Sequence, residues 1–177
     1  MIDIVIMKKN LFFIALMLIE CMTANAQTAE FEELKKAVAD MIYDVAHVSI
    51  NHFNMLKPEE VSQVFSNPRA IRGFKEYVSN KQKMVEMLAE EKKSGIEAGM
   101  DWNDVTITDI RYKGEYDSDW GAEEIKGYIY VNSHSKPYRI FFKRCFMLNG
   151  KCRLMELRSI SQTSEINSNY PLSGRND

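Results

Sequence analysis

Glycine and proline are scarce in this chain of 177 residues, eight and four respectively, and the glycines are scattered singly. No glycine-rich loop is present to cradle the phosphates of a nucleotide. Histidine is equally sparse: His47, His52 and His134 are the whole supply. Asp44-x-x-His47 fits one half of a carboxylate di-metal pattern, but that site needs a second Glu-x-x-His on another helix, and none exists. A five-residue step from His47 to His52 also turns about 140° around a helix, off a shared face. No G-x-S-x-G elbow appears, and Ser133-His134-Ser135-Lys136 matches S-x-x-K only as letters, inside an expected turn. The formal net charge is −2, which argues against general nucleic-acid affinity. The longest apolar run, LFFIALMLI at 11–19, stops at Glu20 and is far shorter than the ~20 residues a membrane span requires. The sequence thus offers no metal-ligand set and no cofactor-binding motif.

That short run has a use. Lys8 and Lys9 precede it, and Ala24-Asn25-Ala26 follows it before Gln27. A basic segment, a short apolar core and small residues at the end describe a cleavable secretory leader over 1–26. Cleavage would leave no transmembrane span and would send the chain to a bacterial periplasm or the exterior. Acylation at Cys21 is disfavoured by Glu20, which stands where a small residue would be wanted. Met7 is an alternative start to Met1.

Beyond the leader the periodicity is helical. Phe31, Leu34, Val38, Met41, Ile42, Val45 and Val48 recur at spacings of three and four, one apolar stripe over 29–48. Pro58, followed by Glu59 and Glu60, marks the start of a short helix to about Phe65. Ser66-Asn67-Pro68 repeats the capping signal. A longer helix follows, carrying Ile71, Phe74, Tyr77, Val78, Met84, Val85 and Leu88, with EEKK at 90–93 on its wet side and Gly95 and Gly99 ending it.

After Gly99 the period becomes two. VTITDIRY (105–112), EIKGYIYVN (124–132), YRIFFKRCFML (138–148) and KCRLMELRSI (151–160) are β-branched and aromatic runs bounded by turn residues. The acidic link 113–123 is expected as a loop. Its Asp117 and Asp119 suit the start of a calcium loop, but Gly121 and Tyr128 fall at the wrong positions for one. Residues 27–162 therefore read as a single α+β domain, about three helices on one face of a four-stranded antiparallel meander, with a polar tail at 163–177. The order of elements and the closing hairpin FxLNGKxxLxEL resemble the small exported members of the NTF2-like and cystatin-like group. That resemblance implies a curved meander with helices packed against it. It leaves open a binding module, an enzyme with a sheet–helix pocket, or an inhibitor.

The Asn149-Gly150 pair predicts a two-residue hairpin turn with Leu148 opposite Lys151. In that register Ile140, Phe142, Phe146, Met155 and Leu157 share the face expected to meet the helices, broken by Arg144 and Arg153. The opposite face carries Phe141, Lys143, Cys145, Met147, Cys152, Leu154 and Glu156, with Lys143 across from Glu156. Tyr128, Tyr130, Phe141 and Leu154 then form a candidate contact face for an unknown protein or small-molecule ligand, or for a second copy of the chain. The cations of 136–158 either mark an anion-binding surface or are a solvated side of the sheet.

Cys145 and Cys152 remain after leader cleavage, in a compartment where disulfides persist. A disulfide between them is expected. A strict two-residue turn places them diagonally and competes with the bond; a four-residue loop from Met147 to Gly150 would set them opposite. The reading these features favour is an exported, non-catalytic binding or interaction module. The alternatives are a small enzyme using a sheet–helix pocket, with Asp44, Asp109 or Tyr112 as candidate groups, and a cystatin-like inhibitor.

Overall fold

The computed structural model of the chain describes residues 28–52 and 54–163. The expected leader at 1–26 and all of the expected tail except Thr163 lie outside them. The first helix, α1, covers 28–47, and its apolar stripe is buried from Leu34 through Val45. Lys92 Nζ donates to Ala46 O at 2.7 Å, a cation on the carbonyl end of α1, where the helix dipole favours it.

Pro58 opens a turn rather than a helix, closed by Glu60 N–H on Lys57 O at 2.9 Å, and α2 is only Val61–Val64. α3 spans Pro68–Ser79, with the Asn67 side chain accepting from Arg69 N–H, as the capping signal predicts. The single long helix expected next is two. Asn80 leaves the helical region (φ −93°, ψ 85°), and its side chain accepts from Lys83 N–H at 3.0 Å, starting α4 at Lys81–Glu97. A residue whose amide side chain competes with the backbone breaks a helix that apolar spacing alone would run through. Gly99, at φ 86°, closes α4, whereas Gly95 lies inside it.

Four strands follow: β1 (Thr106–Asp117), β2 (Ala122–Ser133), β3 (Lys136–Leu148) and β4 (Lys151–Gln162). Among the described residues they form one antiparallel sheet in the order β1-β2-β3-β4. The domain is α+β, helices first and a meander after. Most of the link expected as a loop at 113–123 is strand. Lys113 pairs directly with Lys126, and Glu115 Oε2 bridges the two ammonium groups at 3.2 and 2.8 Å. The connection from β3 to β4 is the predicted two-residue turn, Leu148 opposite Lys151. Asn149 and Gly150 are both at positive φ (52° and 71°), the turn that matches strand twist.

Three bulges interrupt the ladders. Thr108 is the extra residue on β1, Lys143-Arg144 faces Lys126 alone, and Ser159 is extra on β4. Arg144 and Ser159 hold φ of 55° and 48°. The bulge at Arg144 overturns the simple alternation expected along β3. Cys145 joins Ile140 and Phe142 in a cluster with α1, Leu88 of α4, and the Cys152, Leu154 and Leu157 side chains of β4. Phe146 and Leu148 go to a second cluster, with Val61 of α2 and Phe74 and Val78 of α3. Because 145 and 147 pack into one cluster and 146 and 148 into the other, the two clusters meet opposite sides of this hairpin. The Met155 side chain lies outside the described residues.

Arg153, directly across from Phe146, fastens the second cluster from below. Its guanidinium binds Glu60 with Nε on Oε2 (3.2 Å) and Nη2 on Oε1 (2.8 Å), and Nη1 donates to Asn54 Oδ1 (2.6 Å). The guanidinium holds the Glu60 carboxyl below its ordinary range.

Gly95 makes the tightest approach in the helical layer. A Cβ there would come within 2.7 Å of Trp102 Cε2, and the same indole donates from Nε1 to Lys92 O at 3.0 Å. Gly95→Ala should therefore destabilise the fold by about 1–3 kcal/mol through overpacking, despite the better helix propensity of alanine. Thermal melts of the two proteins check this, and a variant melting at or above the parent temperature would contradict it.

Candidate functional site

The chemistry of the described residues gathers around Glu156. Its side chain is 5% exposed and lies on β4 opposite Lys143, as the predicted register requires. A carboxylate this deep must be met by cations. Arg144 Nη1 stands 3.1 Å from Oε2, Lys143 Nζ 3.9 Å from the same oxygen, and Arg158 binds Oε1 through both Nε and Nη2.

Arg158, two residues along β4, shares the face of Glu156 by the pleat, whereas Arg144 reaches it from a bulge. Arg144 takes its left-handed conformation with its own N–H donating to Glu124 Oε1 at 2.6 Å. A bulge re-aims a side chain, and a short charge-assisted bond holds the strained backbone there. The re-aimed guanidinium also lies over the rings of Trp120 (5.6 Å) and Phe74 (5.9 Å), so aromatic faces add to its stabilisation. Ser159, beside Arg158, is the bulged residue of β4, at φ 48°. Arg144 Nε and Glu156 Oε2 are buried without a hydrogen-bond partner among the described residues, an incomplete satisfaction that native interiors seldom leave.

This cluster forms one wall of a cleft of about 390 Å³. The other wall is α4, presenting Lys83, Glu86, Met87, Glu90 and Glu91, positions that recur on one helical face. Tyr77, near the end of α3, completes the lining. Its hydroxyl donates to Met87 Sδ at 3.1 Å, a weak acceptor.

Glu91 is half-buried, and burial pushes its pKa up to about 7. Arg158 pulls the other way, while Glu156 and Glu90 add to the rise. The same surroundings raise Tyr77, burial first and then the charge on Glu156. EEKK is thus not uniformly on the wet side. Glu91 faces the cleft and Lys92 caps α1, while Lys93 pairs outward with Glu97 at 3.7 Å.

A second, more apolar groove of about 650 Å³ runs between α1 and the start of β1, with Tyr43, Trp102 and Ile107 in its walls. At its rim the Tyr43 ring stacks on His47 (4.1 Å) and meets His52 edge-on (4.5 Å). Beneath them Asp44, fully buried, accepts from Ser49 Oγ (2.5 Å) and His52 N–H (3.0 Å) and lies 3.2 Å from His52 Nδ1. Serine and imidazole both lean on the carboxylate, so no base stands on the serine and the order of a nucleophilic triad is missing. The three groups cap the end of α1.

Asp44, Asp109 and Tyr112 are not brought together. Asp109 pairs with Arg111 at 2.7 Å, and Tyr112 is buried beside Phe31. In the acidic turn, Asp117 Oδ1 accepts from Asp119 and Trp120 N–H, so the carboxylate serves the turn. Tyr128, Tyr130 and Phe141 do gather, with Tyr128 at 5.2 Å from Phe141 and 6.4 Å from Tyr130, and Arg139 over the Tyr128 ring. Leu154 is not with them; the bulge at Arg144 puts it in the core, fully buried, and Tyr130 is buried too.

The expected disulfide is also corrected. Cys145 and Cys152 are free thiols, since the two-residue turn sets Cys145 opposite Leu154 and Cys152 opposite Met147. Burial, then the hydrogen bond and charge of the Cys152 thiol, push the Cys145 thiol well above its ordinary range. It is a packing residue and a poor nucleophile.

Among the described residues no helix is long and apolar enough to cross a membrane, and no group of three or more His, Cys, Asp and Glu side chains could hold a metal. A comparison with protein-family models, with curated proteins and with solved structures finds no match to the chain.

Denatured without reductant, the protein should take up alkylating reagent at both Cys145 and Cys152, read by mass; an unlabelled pair would contradict the register. Glu91 carries a pH signature. Its raised pKa lets the folded chain keep a proton that the unfolded chain loses above its ordinary pKa of 4.5, so stability falls as pH rises towards 7. Glu91→Gln should therefore leave the melting temperature nearly unchanged near pH 4.5 and raise it near pH 8. An equal difference at both pH values would contradict the assignment.

Proposed function

We propose that the protein is a non-catalytic binding module of the bacterial envelope or exterior, and that the cleft between α4 and the β3–β4 hairpin holds a small polar ligand. The observation that carries this is the cleft itself. A bulged arginine and one in regular pleat lie over a buried carboxylate, opposite a helix face whose Glu91 is partly desolvated. Pockets with a few convergent polar groups and a perturbed carboxylate are where ligands are bound. The export half of the proposal rests on the leader pattern at 1–26. The NTF2-like or cystatin-like likeness is supported by the helices-then-meander order and the Asn-Gly hairpin, and is proposed as scaffold alone.

A second reading, an enzyme with a sheet–helix pocket, has one observation in its favour. A carboxyl group with a pKa of about 7 is suited to general acid–base work. What favours binding is that the lining has no Ser, Cys or His, and that Glu156 is held by three cations instead of being free to act.

The test is a thermal-shift screen of small polar compounds at neutral pH, followed by calorimetry, on the parent protein and on Met87→Trp, which fills the cleft without altering its charge. A true ligand at a hundredfold excess over its Kd should stabilise the fold by about 2.7 kcal/mol, roughly 5–10 °C, and the variant should lose the shift. Binding unchanged in Met87→Trp would remove the cleft from consideration. Turnover of a bound compound that Glu91→Gln abolishes would favour the enzyme instead.

A further inference from the structure

The two walls of the cleft carry opposite charge. The α4 wall presents Glu86, Glu90 and Glu91, with Lys83 at its start laid over the Tyr77 ring (5.7 Å), and the strand wall presents Arg144 and Arg158. Part of that charge is already matched within the protein, because both guanidiniums share Glu156. The glutamates across from them are not matched. Among the described residues Glu90 and Glu91 enter no ion pair, and Glu86 takes only an amide bond from Gln82, at 3.0 Å.

The donor side has capacity left as well. Arg158 is 55% exposed and so retains N–H groups on open surface, and the Tyr77 hydroxyl is spent on a thioether. Between the walls, Met87 and the Tyr77 ring supply an apolar floor.

A lone anion placed on the guanidiniums would face Glu156 and the unmatched glutamates. A lone cation placed on α4 would face two arginines. Only a ligand carrying both signs, a short distance apart, satisfies both walls. We propose that the cleft takes a small zwitterion, a free amino acid or a short peptide, with its ammonium group on the carboxylates of α4 and its carboxylate on Arg158 and Arg144. This deepens the binding reading above and rests on it.

The position of Glu91 makes the proposal measurable beyond affinity. An ammonium group against it favours the ionised form, so binding near pH 7 expels the proton that the free protein partly holds there. Arg158 and Glu156 from β4 and Glu90 from α4 itself are the charges bearing on Glu91.

The experiment is titration calorimetry at pH 7 in two buffers of different ionisation enthalpy. The probes are leucine, dialanine and trialanine, each with its N-acetylated and C-amidated counterpart. A free zwitterion should bind with release of about half a proton. Blocking either end should weaken binding about tenfold or more, as should Glu91→Gln or Arg158→Gln, while Arg158→Lys retains most of it. Which probe binds tightest separates the amino acid from the peptide, and circular dichroism verifies that each variant is folded. N-acetylated probes binding as tightly as free ones, or binding without proton release, would overturn the zwitterion. So would silence from every probe. The cleft as a binding site would survive either result if another compound from the screen bound the parent and failed to bind Met87→Trp.

Discussion

A carboxylate buried in a β-sheet has to be met by cations that arrive from the sheet itself or from whatever packs on it, and Glu156 is met almost entirely by the sheet. Lys143 faces it in register, Arg158 follows two residues later on the same strand, and Arg144 comes from the neighbouring strand. Regular pleating could not bring all three to one carboxylate. The bulge at Arg144 adds the third. Much else follows from the same distortion. It sends Phe142 and Phe146, which regular alternation would keep on one face, into different clusters, one covered by α1 and the other by the α2–α3 pair. It also opens the cleft against α4.

The parts that were legible in the sequence are those with local causes. Apolar spacing placed α1, Asn67-Pro68 placed the start of α3, and Asn149-Gly150 placed the hairpin with its register intact. Lys143 opposite Glu156 was readable for the same reason. Positive-φ bulges at an arginine and a serine have no comparable signal, because neither residue type favours that conformation. Two expectations that depended on unbroken alternation through Arg144 therefore failed: Leu154 on a contact face, and Phe146 beside Phe142. The disulfide failed differently, since the turn that was correctly read is the one that sets the thiols on a diagonal.

The candidate site was missed for a further reason. A run such as EEKK reads as solvated, and nothing in its letters says that a basic, bulged hairpin will stand across from it. One signal was present. Lys83, Glu86, Glu90 and Glu91 lie at the spacing of a single helical face, beside the apolar Met84 and Leu88. A polar stripe next to a buried one is what a helix shows when it lines a cavity as well as a core.

The meander has a consequence for how the chain reaches this state. Each strand pairs with its immediate successor, and the β2–β3 and β3–β4 connections are two-residue turns, so the sheet can zip hairpin by hairpin with little loop to close. The costly event is the docking of α1, which must cross nearly the whole domain in sequence to meet Phe142 and Leu157. It is the longest loop closure in the fold, longer than the docking of α2 and α3 on Phe146. Until it is made, the hairpin that carries Glu156 presents its apolar side to water.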